Sequence, residues 1–291
     1  MSELVHGVLQ TSMLLAAVAS LAAWCFILFQ QRSASQPFLD RLVPVRKRQR
    51  PFWNPTDALV MFGVQVLMLA LMEIEVKRRG IGDSILAANA MVICAGLTSV
   101  TVALLWLRLI DPHPVRKLSL IPTLSDVWLG LKASILILPP VMILHALCSR
   151  FVEYEHDVFD MLAQLDSFVT FSVLFAATAF VTPLVEELLI RVLLQGGLQR
   201  MIDPESSGNE FQPGDGSWEP KSYLPILIAS ALFALMHLPQ GAAAIPLFFF
   251  ALGVGYLYRQ TGNITSPMVV HMVLNGLTLC VIYTQPAPPA V

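Results

Sequence analysis

Apolar residues run along this chain in long blocks separated by short polar connections. The blocks cover residues 5–29, 57–76, 84–107, 127–148, 168–191 (running on to about 200), 223–238, 242–258 and 265–283. A helix that crosses a bilayer needs about 20 mostly apolar residues. Backbone in lipid must satisfy its hydrogen bonds within its own segment, so such blocks are helices and not strands. Period-two alternation is absent. The pattern predicts an all-α fold, a polytopic transmembrane bundle of about eight spans. Residues 1–150 form a first group of about four spans without a motif. Residues 165–285 form a second group of about four, interrupted by a loop over 203–222.

Composition agrees with the pattern. The 291 residues are 56% hydrophobic and 13% charged, against about 25% charged in a soluble domain. A net charge of −2 excludes a nucleic-acid partner, which needs a basic face. Cys25, Cys94, Cys148 and Cys280 all lie in apolar stretches without metal-type spacing, and read as small buried hydrophobes, not a disulfide framework. No basic stretch precedes the first apolar block, so that block is read as a retained span and not a cleaved signal.

Charge in the connections suggests an orientation. Arg32, Arg41, Arg46, Lys47, Arg48 and Arg50 face one acid, Asp40, across residues 31–56. By the positive-inside rule this loop is cytoplasmic, and Arg116 and Lys117 fit the same side. Glu153, Glu155, Asp157, Asp160 and Asp166 against Arg150 place residues 149–167 outside. Eight spans then put both termini outside. Lys77, Arg78 and Arg79 disagree, since they follow the second span on the outer side. The Gly-, Pro-, Ser- and acid-rich residues 203–222 predict a mobile cytoplasmic loop, and the terminal QPAPPA a disordered tail.

Ionisable residues inside spans are costly and mark function by default. Three clusters occur, all in the second group. The first is Glu186-Glu187-Leu188-Leu189-Ile190-Arg191. Glu187 and Arg191 are four apart and can pair, whereas Glu186 points about 100° away without a local partner. Thr182-Pro183 just before predicts a kink or a fresh helix capped by Thr182. The second cluster is His237, closing Phe233-Ala-Leu-Met-His. The third is His271 and Asn275, four apart on one helical face. Singly, these admit plain readings: a charged helix end, a structural histidine, interhelical hydrogen bonding. Together they supply a carboxylate, two imidazoles and an amide from three helices. A carboxylate with an imidazole can hold and deprotonate water; an imidazole with an amide can stabilise an oxyanion. Asparagine is a poor zinc ligand, which favours a metal-free site with no cofactor. Zn²⁺ held by Glu186, His237 and His271 is the alternative.

Glu-Glu-x-x-x-Arg, then Phe-x-x-x-His, then His-x-x-x-Asn, in that order on late hydrophobic helices, resembles the CAAX protease and bacteriocin-processing family of intramembrane endopeptidases, which includes the type 2 CAAX prenyl proteases. The resemblance covers roughly residues 165–285. It implies that Glu186 with His237 activates water, that His271 and Asn275 meet the oxyanion, and that Glu187 and Arg191 support them. It implies a peptide or protein substrate at the membrane, lipid-modified in some members, reaching the site from the bilayer or the cytoplasmic face. The expected location is a prokaryotic plasma membrane. Two rivals stay open: a non-proteolytic scaffold or immunity-type protein of the same fold, and a proton-coupled transporter, which the lack of a visible internal repeat disfavours.

Overall fold

A computed structural model of the chain describes residues 2–30, 38–81, 84–152, 167–203 and 218–284. Arg32, the acids of the 153–166 loop, most of the 203–222 loop and the QPAPPA tail lie outside the described residues. The helices are α1 (Ser2–Gln30), α2 (Phe38–Leu42), α3 (Thr56–Arg79), α4 (Ile85–Ile110), α5 (Pro114–Lys117), α6 (Leu124–Cys148), α7 (Phe168–Ile202), α8 (Leu224–Met236), α9 (Ala244–Thr261) and α10 (Thr265–Thr284). The described residues hold no strand beyond one isolated bridge between Arg48 and Trp218.

Among the described residues, seven helical segments are long and apolar enough to span a membrane. The block at 223–238 differs. Its helix α8 has 13 residues, a rise of about 20 Å, which is short of a hydrocarbon core about 30 Å thick. Pro239 follows directly, and Gly241 (φ 62°) turns the chain back into α9. α8 and α9 are thus packed partners in a hairpin. Residues such as Phe29, Leu109 and Leu124 face outward and exposed, as expected where the solvent is lipid. Only 6% of the apolar window of α1 is buried, against 56% of that running into α9. α1 is therefore peripheral and α9 central. One apolar core joins Trp53, Met61 and Leu107 from the first half to Leu188, Phe233, Phe250 and Val270 from the second.

Helix α6 passes straight through Pro139 and Pro140. Proline has no N–H, so Pro140 leaves the carbonyl four residues earlier unpaired. That carbonyl, Leu136 O, accepts from the Trp24 indole Nε1–H of α1 at 3.0 Å. The peripheral helix is fastened where the proline freed an acceptor.

Lys77, Arg78 and Arg79, the charges that disagree with the inside-positive pattern, are paired within their own helix. Lys77 donates to Glu73 at 2.7 Å, and Arg78 and Arg79 both reach Glu75. Their charge is largely cancelled locally. The basic residues at the other end hold the fold together. Arg46 pairs with the buried Asp126 at 2.6 Å, Arg50 donates to the Arg200 carbonyl, and Trp53 Nε1–H donates to Val192 O at 2.9 Å. Arg259 is buried; its guanidinium donates to the carbonyls of Pro220, Lys221 and Ser222 and lies 3.9 Å over the Tyr223 ring.

The segment before α3 presses on α7 so closely that only glycine fits at 197. A Cβ there would lie 2.6 Å from the Asn54 carbonyl carbon and 2.8 Å from Pro55 Cα. Both are backbone atoms with no easy way to yield. Alanine is the better helix former by about 1 kcal/mol, yet Gly197→Ala should destabilise by about 1–3 kcal/mol net, because overpacking dominates. Gly276→Ala, whose Cβ would meet Phe175 at an ordinary 3.5 Å, should be neutral or stabilising. Unfolding of both variants in the same detergent tests the contrast.

Candidate functional site

α7 is not a uniform helix. Wide π turns at Ala177–Val181 and Glu187–Gln195 flank the α-helical Thr182–Glu186. The expected break at Thr182-Pro183 is absent: Thr182 is helical, makes no cap, and its N–H bonds Ala177 O, five residues back. In that register the next donor would be the N–H of Pro183, which does not exist. The carbonyl it would serve, Thr178 O, accepts instead from Asn275 Nδ2 on α10 at 2.8 Å. A proline thus creates the vacancy and a distant asparagine fills it. Such π turns recur at functional sites.

Immediately after the proline come the two acids. Glu187 has no exposed surface, and both of its oxygens are taken. Oε2 accepts from Arg191 Nε–H at 3.1 Å and Oε1 from His271 Nδ1–H at 2.8 Å. The i,i+4 pair is therefore half of a three-residue relay that crosses from α7 to α10. Arg191 is equally buried. Its two terminal nitrogens find no acceptor among the described residues, and the guanidinium lies 5.3 Å over the Phe233 ring, within range of a cation–π contact. Gln195, one further turn along, donates to Gly255 O at 2.8 Å and ties this stretch to α9.

Glu186 turns the other way. Its side chain keeps 20% exposure, and Oε2 stands 3.6 Å from His271 Nε2. That exceeds a hydrogen bond. The histidine thus has a carboxylate bonded to one nitrogen and a second, reachable carboxylate beside the other. Phe250 and Phe233 wall the ring edge-on, with centroids 5.1 and 6.0 Å away. His237 closes α8, its ring centroid 4.5 Å from that of Phe233. Its Nδ1–H donates to the Phe233 carbonyl at 2.8 Å, so in the neutral ring Nε2 is an acceptor.

The structure therefore brings Glu186, Glu187, Arg191 and His271 into direct contact. It sets His237 against the same aromatic wall and places Asn275 one turn beyond His271, engaged with Thr178. No hydrogen bond joins His237 to Glu186 among the described residues. No group of three or more His, Cys, Asp and Glu among them is placed to hold a metal ion. Phe250, the near wall of His271, carried no signal in the sequence beyond its place in an aromatic run. The Thr178 carbonyl carried none at all, since its availability follows from a helical register.

Comparison with protein families matches residues 168–277 to the model described as type II CAAX prenyl endopeptidase Rce1-like. No curated protein and no solved structure matches the chain. The matched span contains all six of the residues singled out above.

Glu187→Gln would leave Arg191 as a buried cation without a counter-charge, and should destabilise by about 3–5 kcal/mol. Adding Arg191→Met should recover part of that loss in a denaturation series. Asn275→Ala should lose about 1–3 kcal/mol by stranding the Thr178 carbonyl. Pro183→Ala in that background restores a backbone N–H, so the pair should be more stable than Asn275→Ala alone.

Proposed function

We propose that this chain, whose residues 168–277 match the type II CAAX prenyl endopeptidase Rce1-like model, hydrolyses a peptide bond inside the membrane with Glu186 as general base. The observation that carries this reading is the contact of both acids with one imidazole: Glu187 bonded to His271 Nδ1 and Glu186 3.6 Å from Nε2. The half-buried Glu186 thus sits beside a ring whose orientation the sealed Glu187 fixes.

Water held between Glu186 and the acceptor Nε2 of His237 loses a proton to the carboxylate as its oxygen attacks the peptide carbonyl. The proton then passes from Glu186 to the departing amine. The developing oxyanion is met by His271 and by the second amide N–H of Asn275, the first being committed to Thr178. The reading gives Glu187 and Arg191 the task of aiming that ring. It needs no metal, and the orientation it favours puts the basic end of the bundle in the cytoplasm of a prokaryote. The substrate is a membrane-associated peptide segment, lipid-modified or not.

The test is cleavage of a prenylated peptide, and of the same peptide without its lipid, by purified protein in bilayers. Glu186→Gln should keep the wild-type unfolding temperature and lose about 10²–10⁴-fold in rate. Undiminished cleavage by that variant rejects the role of Glu186. Absence of cleavage by wild type for both peptides would favour the non-proteolytic scaffold. Loss of activity on chelation, restored by Zn²⁺, would replace the metal-free step with a metal held by Glu186, His237 and His271.

A further inference from the structure

At the end of the bundle where the basic residues gather, a cavity of about 390 Å³ opens between the 48–53 segment, the 113–119 connection and the ends of α7 and α9. Arg48, His113, Arg116, Lys117 and Arg259 line it together with neutral side chains, and no Asp or Glu is among the lining residues. It is separate from the Glu186 cluster: its nearest residue on α7, Gly196, lies nine positions beyond Glu187.

Two of the four full cations there are already answered. Lys117 pairs with Asp111, and Arg259 is surrounded by backbone carbonyls with Asp40 at 3.9 Å. Arg48 and Arg116 have no carboxylate partner among the described residues. The Arg48 guanidinium is enclosed by the Trp218 ring at 5.4 Å, the Arg259 carbonyl at 2.9 Å, and Gly262. Burial pushes its pKa down from the ordinary arginine value to about 10; Tyr258 offsets part of that shift, and the nearby Arg259 cation adds a smaller push in the same direction as burial. It remains cationic at neutral pH. Gly262, with φ 66°, leaves the room the Arg48 side chain occupies, since a Cβ there would come within 2.8 Å of Nε. Ser119 on the rim holds φ 52°, the one non-glycine residue with positive φ among the described residues. Backbone in that region is costly and collects at sites that bind.

The surroundings say where the anion comes from. Leu109, Ile110, Val115 and Ile121, on the chain that forms this wall, are 82, 51, 44 and 61% exposed. A basic basin bordered by outward-facing aliphatic residues at the ends of spans faces both headgroups and tails. We propose that this cavity is a binding site for a phosphate group, delivered by an anionic phospholipid whose tails lie against the Leu109–Ile121 side of the bundle. The phosphate oxygens accept from Arg48 and Arg116, and the basic end of the protein is thereby seated on an anionic leaflet.

The full-length protein in phosphatidylcholine nanodiscs containing phosphatidylglycerol, analysed by native mass spectrometry, should retain phosphatidylglycerol preferentially. Arg116→Gln, at an exposed side chain, should weaken that retention about fivefold. Arg48→Gln should weaken it at least as much. Arg78→Gln, at the opposite end and paired to Glu75, should leave it unchanged. Equal retention of phosphatidylcholine, or wild-type retention in both Arg48→Gln and Arg116→Gln, overturns the site; so does equal loss in Arg78→Gln, which would reduce it to general charge. Millimolar inorganic phosphate in pure phosphatidylcholine discs is the second arm. Phosphate that raises the unfolding temperature in wild type and not in Arg116→Gln, with no selective lipid retention, rejects the lipid as the source.

Discussion

The acid Glu187 sits at the centre of this protein with no exposed surface. A carboxylate survives there only if its charge is answered and its oxygens are bonded. Arg191 does this from the same helix and His271 from α10, 84 positions away. Both partners are themselves buried, so none of the three can relax toward water. Two helices are therefore locked in rotation about their axes as well as in distance. Rotation matters most for the neighbour: with Glu187 held inward, Glu186 is carried around α7 to the edge of His271, where solvent still reaches it. Adjacent acids in one helix end up with opposite environments, one sealed and one available.

A second constraint comes from lipid, which offers no hydrogen bonds to a backbone group that a proline has orphaned. In α6 the Leu136 carbonyl takes the indole of Trp24; in α7 the Thr178 carbonyl takes the amide of Asn275. Each proline thus becomes a point of attachment for another helix. At Asn275 the attachment falls on the residue proposed to meet the oxyanion, and the two uses are compatible because an amide nitrogen carries two hydrogens. Fixing one of them orients the other.

The basic end of the bundle shows the same economy of use. Arg46, Arg50 and Arg259 pin connecting segments through Asp126 and a row of backbone carbonyls. Their charges also build the field of the neighbouring cavity. At the opposite end three cations are answered by glutamates one helical turn away, so the net charge separating the two ends is larger than a count of Lys and Arg suggests.

Much of this was readable along the chain. Long apolar blocks dictate helices because lipid permits nothing else, and the three polar clusters stood out because ionisable groups are costly there. Spacing alone paired Glu187 with Arg191, since residues four apart lie just over one helical turn from each other on the same face. Other features are invisible to periodicity. The shortness of α8 depends on where Pro239 and Gly241 turn the chain, and the continuity of α7 through Pro183 depends on π turns that no residue pattern announced. That Glu187 would also bind His271, or that Thr178 would need Asn275, requires knowing which faces of α7 and α10 meet. Local chemistry specifies what a residue can do; the packing of helices far apart in the chain selects which partner it does it with.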